Sequence, residues 1–124
     1  MSAIGSRRIA ALLLATGLAG CITAAEQATP IRPITCTAGA DCDAKWSRAA
    51  SWIALNPTWK IKTRTDQFIE TTEHDTLPAF AITKVAKTPE NYEIIFEGYC
   101  ANPFGCTPTV AQSRARFESF MLAQ

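Results

Sequence analysis

Ala44-Lys45-Trp46-Ser47-Arg48-Ala49-Ala50-Ser51-Trp52-Ile53-Ala54-Leu55-Asn56-Pro57-Thr58-Trp59-Lys60-Ile61-Lys62-Thr63-Arg64-Thr65 changes its hydrophobic period halfway along, and that change decides the fold class. Trp46, Ala49, Ala50 and Ile53 fall at i, i+3, i+4 and i+7, the apolar stripe of a helix over 44–55. Lys45, Arg48 and Ser51 lie off the stripe, and Trp52 sits on its flank beside Leu55. Asn56-Pro57 stops the helix, because the residue before a proline is pushed out of the helical region. Beyond it the period becomes two. Trp59, Ile61, Thr63 and Thr65 point one way and Lys60, Lys62 and Arg64 the other, as in a half-buried strand with one wet face.

Downstream the strand pattern repeats. Asp66-Gln67 marks a bulge or turn, and 68–72 continues as strand. Residues 73–78 read as a loop, 79–87 as a further strand, and 92–99 as the last one, with Tyr92, Ile94 and Phe96 alternating against Glu93, Ile95 and Glu97. Thr107-Pro108-Thr109 opens a final helix whose stripe is Val110, Phe117, Phe120 and Met121, with Arg114, Arg116 and Glu118 largely outside it. The expected fold is α+β: a small antiparallel sheet of three or four strands, with an N-terminal and a C-terminal helix packed on one face.

Upstream, Asp41 or Asp43 is placed to cap the first helix. Cys36 to Cys42 reads as a loop, and residues 22–35 as a tether without sustained periodicity, since Pro30 and Pro33 oppose a helix. Arg7 and Arg8 precede an apolar run from Ile9 to Leu18, broken only by Thr16 and Gly17. A positive region, an apolar region too short to span a bilayer and then small residues make a secretory signal. The site reads Leu18-Ala19-Gly20-Cys21, which resembles the lipobox of bacterial lipoproteins. That resemblance implies a signal peptide over 1–20, lipidation of Cys21, and a lipid-anchored chain with its tether to residue 35 and one domain over 36–124. Its partner at the membrane is then the bilayer itself, held through acyl chains. By resemblance to enterobacterial lipoproteins, Ile22 in place of aspartate implies the outer membrane, facing the periplasm.

Of the 124 residues, 104 remain after such processing, enough for one small domain. Losing Arg7 and Arg8 leaves ten basic against eleven acidic residues, a balance with no electrostatic argument for nucleic acid. Setting Cys21 aside, Cys36, Cys42, Cys100 and Cys106 form an even set, which in an exported chain reads as two disulfides. Zinc is the competing reading, opposed by the five-residue spacing within each pair. Three connectivities are open. The local pairs Cys36–Cys42 and Cys100–Cys106 are favoured, because each short loop contains turn residues, with long-range pairing as the alternative.

No catalytic constellation emerges, so the expectation is a non-enzyme without cofactor or metal. His74 between Glu73 and Asp75 is weighed as a metal ligand or general base and read instead as part of a solvated turn. Lys60, Lys62 and Arg64 form a basic row that is either a contact for an acidic partner or a wet face balanced by Glu93 and Glu97. Trp46 and Trp59 belong to the core, and Trp52 is the tryptophan weighed as an exposed, partner-binding aromatic against a further core residue. Phe104, in Asn102-Pro103-Phe104-Gly105 between two cysteines, is either the tip of a rigid recognition loop or folds back over the core.

A wider pattern joins these residues: Asp41-Cys42, Lys45-Trp46 through Trp52-Ile53, Lys60-Ile61, Thr65-Asp66, Cys100-Ala101-Asn102 and Phe104-Gly105-Cys106-Thr107-Pro108. It is similar to a group of small proteobacterial lipoproteins with two cysteine pairs, a resemblance that implies no particular activity. The expected function is a non-catalytic binding or structural module of the cell envelope, contacting a protein or cell-wall partner. An inhibitor or envelope-stress sensor acting through the Cys100–Cys106 loop is the alternative. Oligomeric state is left open.

Overall fold

The computed structural model of the chain describes residues 30–123; Cys21 and the expected signal peptide lie outside them. The elements in order are β1 (Ile34–Thr37), α1 (Ala40–Ala54), β2 (Ile61–Arg64), β3 (Phe68–Thr71), β4 (Ala79–Ala86), β5 (Asn91–Tyr99) and α2 (Val110–Leu122). The protein is α+β, and its sheet is antiparallel with five strands in the order β1-β5-β4-β3-β2.

The expected count of three or four strands thus falls short of the five present. The additional strand is β1, which begins inside the expected tether and pairs Ile34 with Ile94 and Cys36 with Tyr92. Pro30 and Pro33 exclude a helix there but not an edge strand, where a missing amide hydrogen can face away from the ladder. The start of α1 also moves. Gly39 occupies its N-cap without a side-chain cap, so Cys42 lies within the helix rather than in a loop. Asp41 does not cap; its Oδ2 accepts from the Thr37 amide at 2.8 Å, and Lys45 Nζ lies 3.2 Å from Oδ1. These contacts hold the Asp41 carboxyl below its ordinary range, the Thr37 bond first and Lys45 next.

Cross-strand register assigns the faces. Ile69 and Ile82 lie opposite each other, as do Ile82 and Phe96, so Ile69, Phe80, Ile82, Ile94 and Phe96 share one face. Glu70, Ala81 and Glu97 are opposed in the same way and occupy the other. On the first face Trp52 is the hub, its ring stacked 5.7 Å from Trp59 and edge-on to Phe96 and Phe117 at 6.1 and 5.4 Å. Trp52 is only 5% exposed, which corrects its candidacy as a surface, partner-binding aromatic. A position on the flank of the α1 stripe still reaches the core when a second helix supplies Phe117 beside it. Two buried indoles find acceptors: Trp46 Nε1 donates to the Thr65 carbonyl at 3.1 Å and Trp59 Nε1 to that of Pro78 at 2.9 Å.

α2 starts with a full capping box. The Thr109 hydroxyl accepts from the Gln112 amide, and Gln112 Oε1 accepts from that of Thr109, at 3.1 and 3.0 Å. Its other end is held by Arg48 of α1, whose guanidinium donates to the Phe120 carbonyl and lies 4.3 Å over the Phe120 ring. Phe117 and Met121 are buried as the periodicity predicts. Glu118, expected outside the stripe, is buried instead beneath Arg32 and Arg114.

Candidate functional site

The chain leaves β5 at Tyr99 and enters a loop closed by the two cysteines. Cys100 and Cys106 lie at disulfide distance with Cα atoms 5.9 Å apart, and Cys36 and Cys42 do so at 4.9 Å. These are the two local pairs favoured from spacing. Within the loop, Asn102 supplies the turn chemistry. Its Oδ1 accepts from the Phe104 amide at 2.9 Å, and its carbonyl accepts from the Gly105 amide at 3.0 Å. Pro103 sits at the second turn position, where its fixed φ is favourable. Gly105 has φ +93°, a conformation L side chains rarely adopt, so backbone sterics favour glycine there.

Two hydrogen bonds brace this turn against the loop between β3 and β4. Asn102 Nδ2 donates to the Asp75 carbonyl at 2.9 Å, and the Thr107 amide to that of Thr76 at 3.2 Å. The outcome is a Phe104 ring that is 97% exposed. It does not fold back over the core.

Glu73, His74 and Asp75 line a surface hollow together with residues 101–104. His74 is exposed, and its Nδ1 faces the Thr76 amide at 3.3 Å as part of a polar turn. Glu73 borders a second hollow of about 320 Å³ on the Glu70–Glu97 face, shared with Lys62, Glu70, Ala81, Glu97 and Tyr99. The half-exposed Tyr99 hydroxyl donates to Glu73 Oε1. That bond, with desolvation second, raises the phenol above its usual 10.0. Both hollows meet at Glu73, so the Phe104 loop and the acidic face form one surface.

The basic row is divided. A register shift between Ile61 and Thr63 inserts a bulge, which sends Arg64 opposite Ile69 while Thr63 lies opposite Glu70. Lys62 reaches Glu70 at 3.7 Å, so its balance comes from β3 rather than from Glu93 or Glu97; Glu93 pairs instead with Lys87 at 3.1 Å. Lys60, Lys62 and Arg64 are all exposed but do not present one face. Cys21 lies outside the described residues. Among the described residues no helix is long and apolar enough to cross a membrane, and no group of three His, Cys, Asp or Glu is arranged to hold a metal ion.

Sequence reasoning missed the contributions of Glu73, Asp75, Glu97 and Tyr99 to the loop's surroundings. Alternation within β5 placed Glu97 on the wet face. The approach of Asp75 and Glu73 to Phe104, however, depends on Asn102 bonding across to another loop. No protein-family model matches the chain, and no curated protein shows significant sequence similarity to it.

Proposed function

We propose that the protein is a lipid-anchored, non-catalytic binding module of the bacterial cell envelope, attached through Cys21 to the outer membrane and facing the periplasm. Its recognition element is the Cys100–Cys106 loop, and its partner is a protein. Both helices are read as covering the Phe80–Phe96 face, leaving the Glu70–Glu97 face for contact. One observation carries this reading: a phenylalanine 97% exposed at the tip of a loop closed by a cystine, tied by an Asx turn and bonded to its neighbouring loop. An exposed aromatic costs solubility, and a braced one loses little conformational entropy on binding. An inhibitor or stress sensor would use the same loop to enter a partner's cleft, and the protrusion of Phe104 favours that version over a purely structural role.

The chain entry supports the anchor's geometry. Ile34 opposes Ile94, and residues 31–33 line a hollow beside Ile95 to Glu97. Residues 31–33 therefore run toward the Tyr99 end of β5, where the Phe104 loop also lies. The eight residues between Cys21 and residue 30 cover at most about 28 Å when fully extended. On this reading the loop works near the membrane surface.

The test has two arms. Metabolic labelling with a fatty-acid analogue is expected to mark the wild-type chain and not Cys21→Ser. Affinity purification of the lipidated chain from solubilised envelopes is expected to retain a partner that Phe104→Ala loses. Labelling that survives Cys21→Ser would overturn the anchor, and a partner indifferent to Phe104→Ala would overturn the loop as recognition element.

A further inference from the structure

Phe104 does not stand on a neutral surface. The exposed Glu73 and Asp75 line its hollow, and Glu70 and Glu97 continue the acidic character along the adjoining sheet face. That face also holds Lys62, which lies 3.7 Å from Glu70, and the exposed Lys60, whose carbonyl accepts from the Thr72 amide, adjoins Glu73. His74 lines the same hollow, and Tyr99 is bonded to Glu73 beside it. An anionic lipid surface receiving Phe104 would also face these carboxylates, and exposed like charges oppose such an encounter.

We infer that Phe104 inserts into an apolar pocket on a partner protein whose rim carries lysine or arginine, with Glu73 and Asp75 as the complementary charges. This rests on the loop reading above and specifies its partner's chemistry. The division of labour follows interface physics. A desolvated aromatic anchor at the centre contributes most of the affinity, while charges at the rim steer the encounter and exclude wrong partners. Asp75 is suited to that task because its backbone carbonyl, not its side chain, braces Asn102. Glu73 is tied to the same surface through Tyr99.

The experiment is photo-crosslinking in intact cells with p-benzoylphenylalanine replacing Phe104 in the full chain. It is run with native flanks and with Glu73→Gln and Asp75→Asn, singly and together. Glutamine keeps an acceptor for Tyr99 and asparagine keeps the Asp75 carbonyl, and thermal unfolding of each purified variant reports whether the fold is retained. The expected result is a discrete protein adduct, mapped by mass spectrometry to a pocket flanked by Lys or Arg, whose yield falls about tenfold in the double variant. An adduct whose yield ignores both charge changes would overturn the inference and leave the loop reading standing. An adduct with lipid would overturn the choice of a protein partner. No adduct from a folded, anchored chain would overturn the loop reading itself.

Discussion

Arg32 and Glu118 join the start of the described chain to its last helix. Arg32 Nε lies 3.8 Å from Oε2 of a carboxylate that is only 3% exposed, and its Nη2 donates to Ser119 Oγ at 2.6 Å and to the Ala115 carbonyl at 3.3 Å. A buried carboxylate needs such partners, since an uncompensated one is costly. The segment read as the end of a tether is therefore docked on α2 from Arg32 onward. Arg32→Ala is expected to lower stability by about 1–3 kcal/mol. It should also speed amide exchange in β1 more than in β4. Unchanged exchange at Ile34 would show that β1 is held without this contact.

Phe104 and Trp52 should behave as opposites. Trp52→Ala removes the hub of the aromatic core and is expected to cost about 3–5 kcal/mol. Phe104→Ala removes an exposed ring and should stay within about 0.5 kcal/mol of wild type. Denaturant unfolding of both variants checks the contrast. A large loss for Phe104→Ala would mean that its ring packs on the domain.

Much of the architecture was legible in the sequence because it rests on local periodicity. The switch from period 3.6 to period two around Asn56-Pro57 separates α1 from β2, and the alternation of 92–99 matches β5 closely. What escaped was tertiary. β1 is four residues long and follows two prolines, so it is stabilised by its ladder with β5 rather than by its own pattern. The bulge at Ile61/Thr63 depends on pairing with Glu70, and no strand read alone shows that Lys62 and Arg64 part company there. Trp52 stayed ambiguous because a helix's flank becomes interior only once Phe117 packs beside it. Asn102-Pro103-Phe104-Gly105 announced a turn, but the outward-facing phenylalanine belongs to a tertiary arrangement in which Asn102 bonds across to Asp75.

Gly105 tests the loop's backbone. At φ +93° an added Cβ meets no neighbouring atom, so the cost of Gly105→Ala is conformational, about 1–2 kcal/mol. Gly105→Asn should recover part of that loss, since asparagine tolerates positive φ better than alanine. Thermal unfolding of the pair checks it; equal stabilities would show that the turn can relax.

Asp41 gives a pH signature. Its folded pKa lies below the ordinary 3.8, so the stability it contributes is fully present above that value and is lost as pH falls through the folded pKa. Carboxyl carbon NMR should show Asp41 titrating below 3.8, and Asp41→Asn should remove this part of the acid dependence of unfolding. A midpoint at or above 3.8 would mean that the Thr37 and Lys45 contacts do not persist in solution.

The central claim is that the Cys100–Cys106 loop displays Phe104 as a pre-ordered anchor. Backbone ¹⁵N relaxation at the Phe104 amide, which donates to Asn102 Oδ1, tests it most directly. The account predicts an order parameter of about 0.85, as in a rigid framework, and a value below about 0.6 would contradict it.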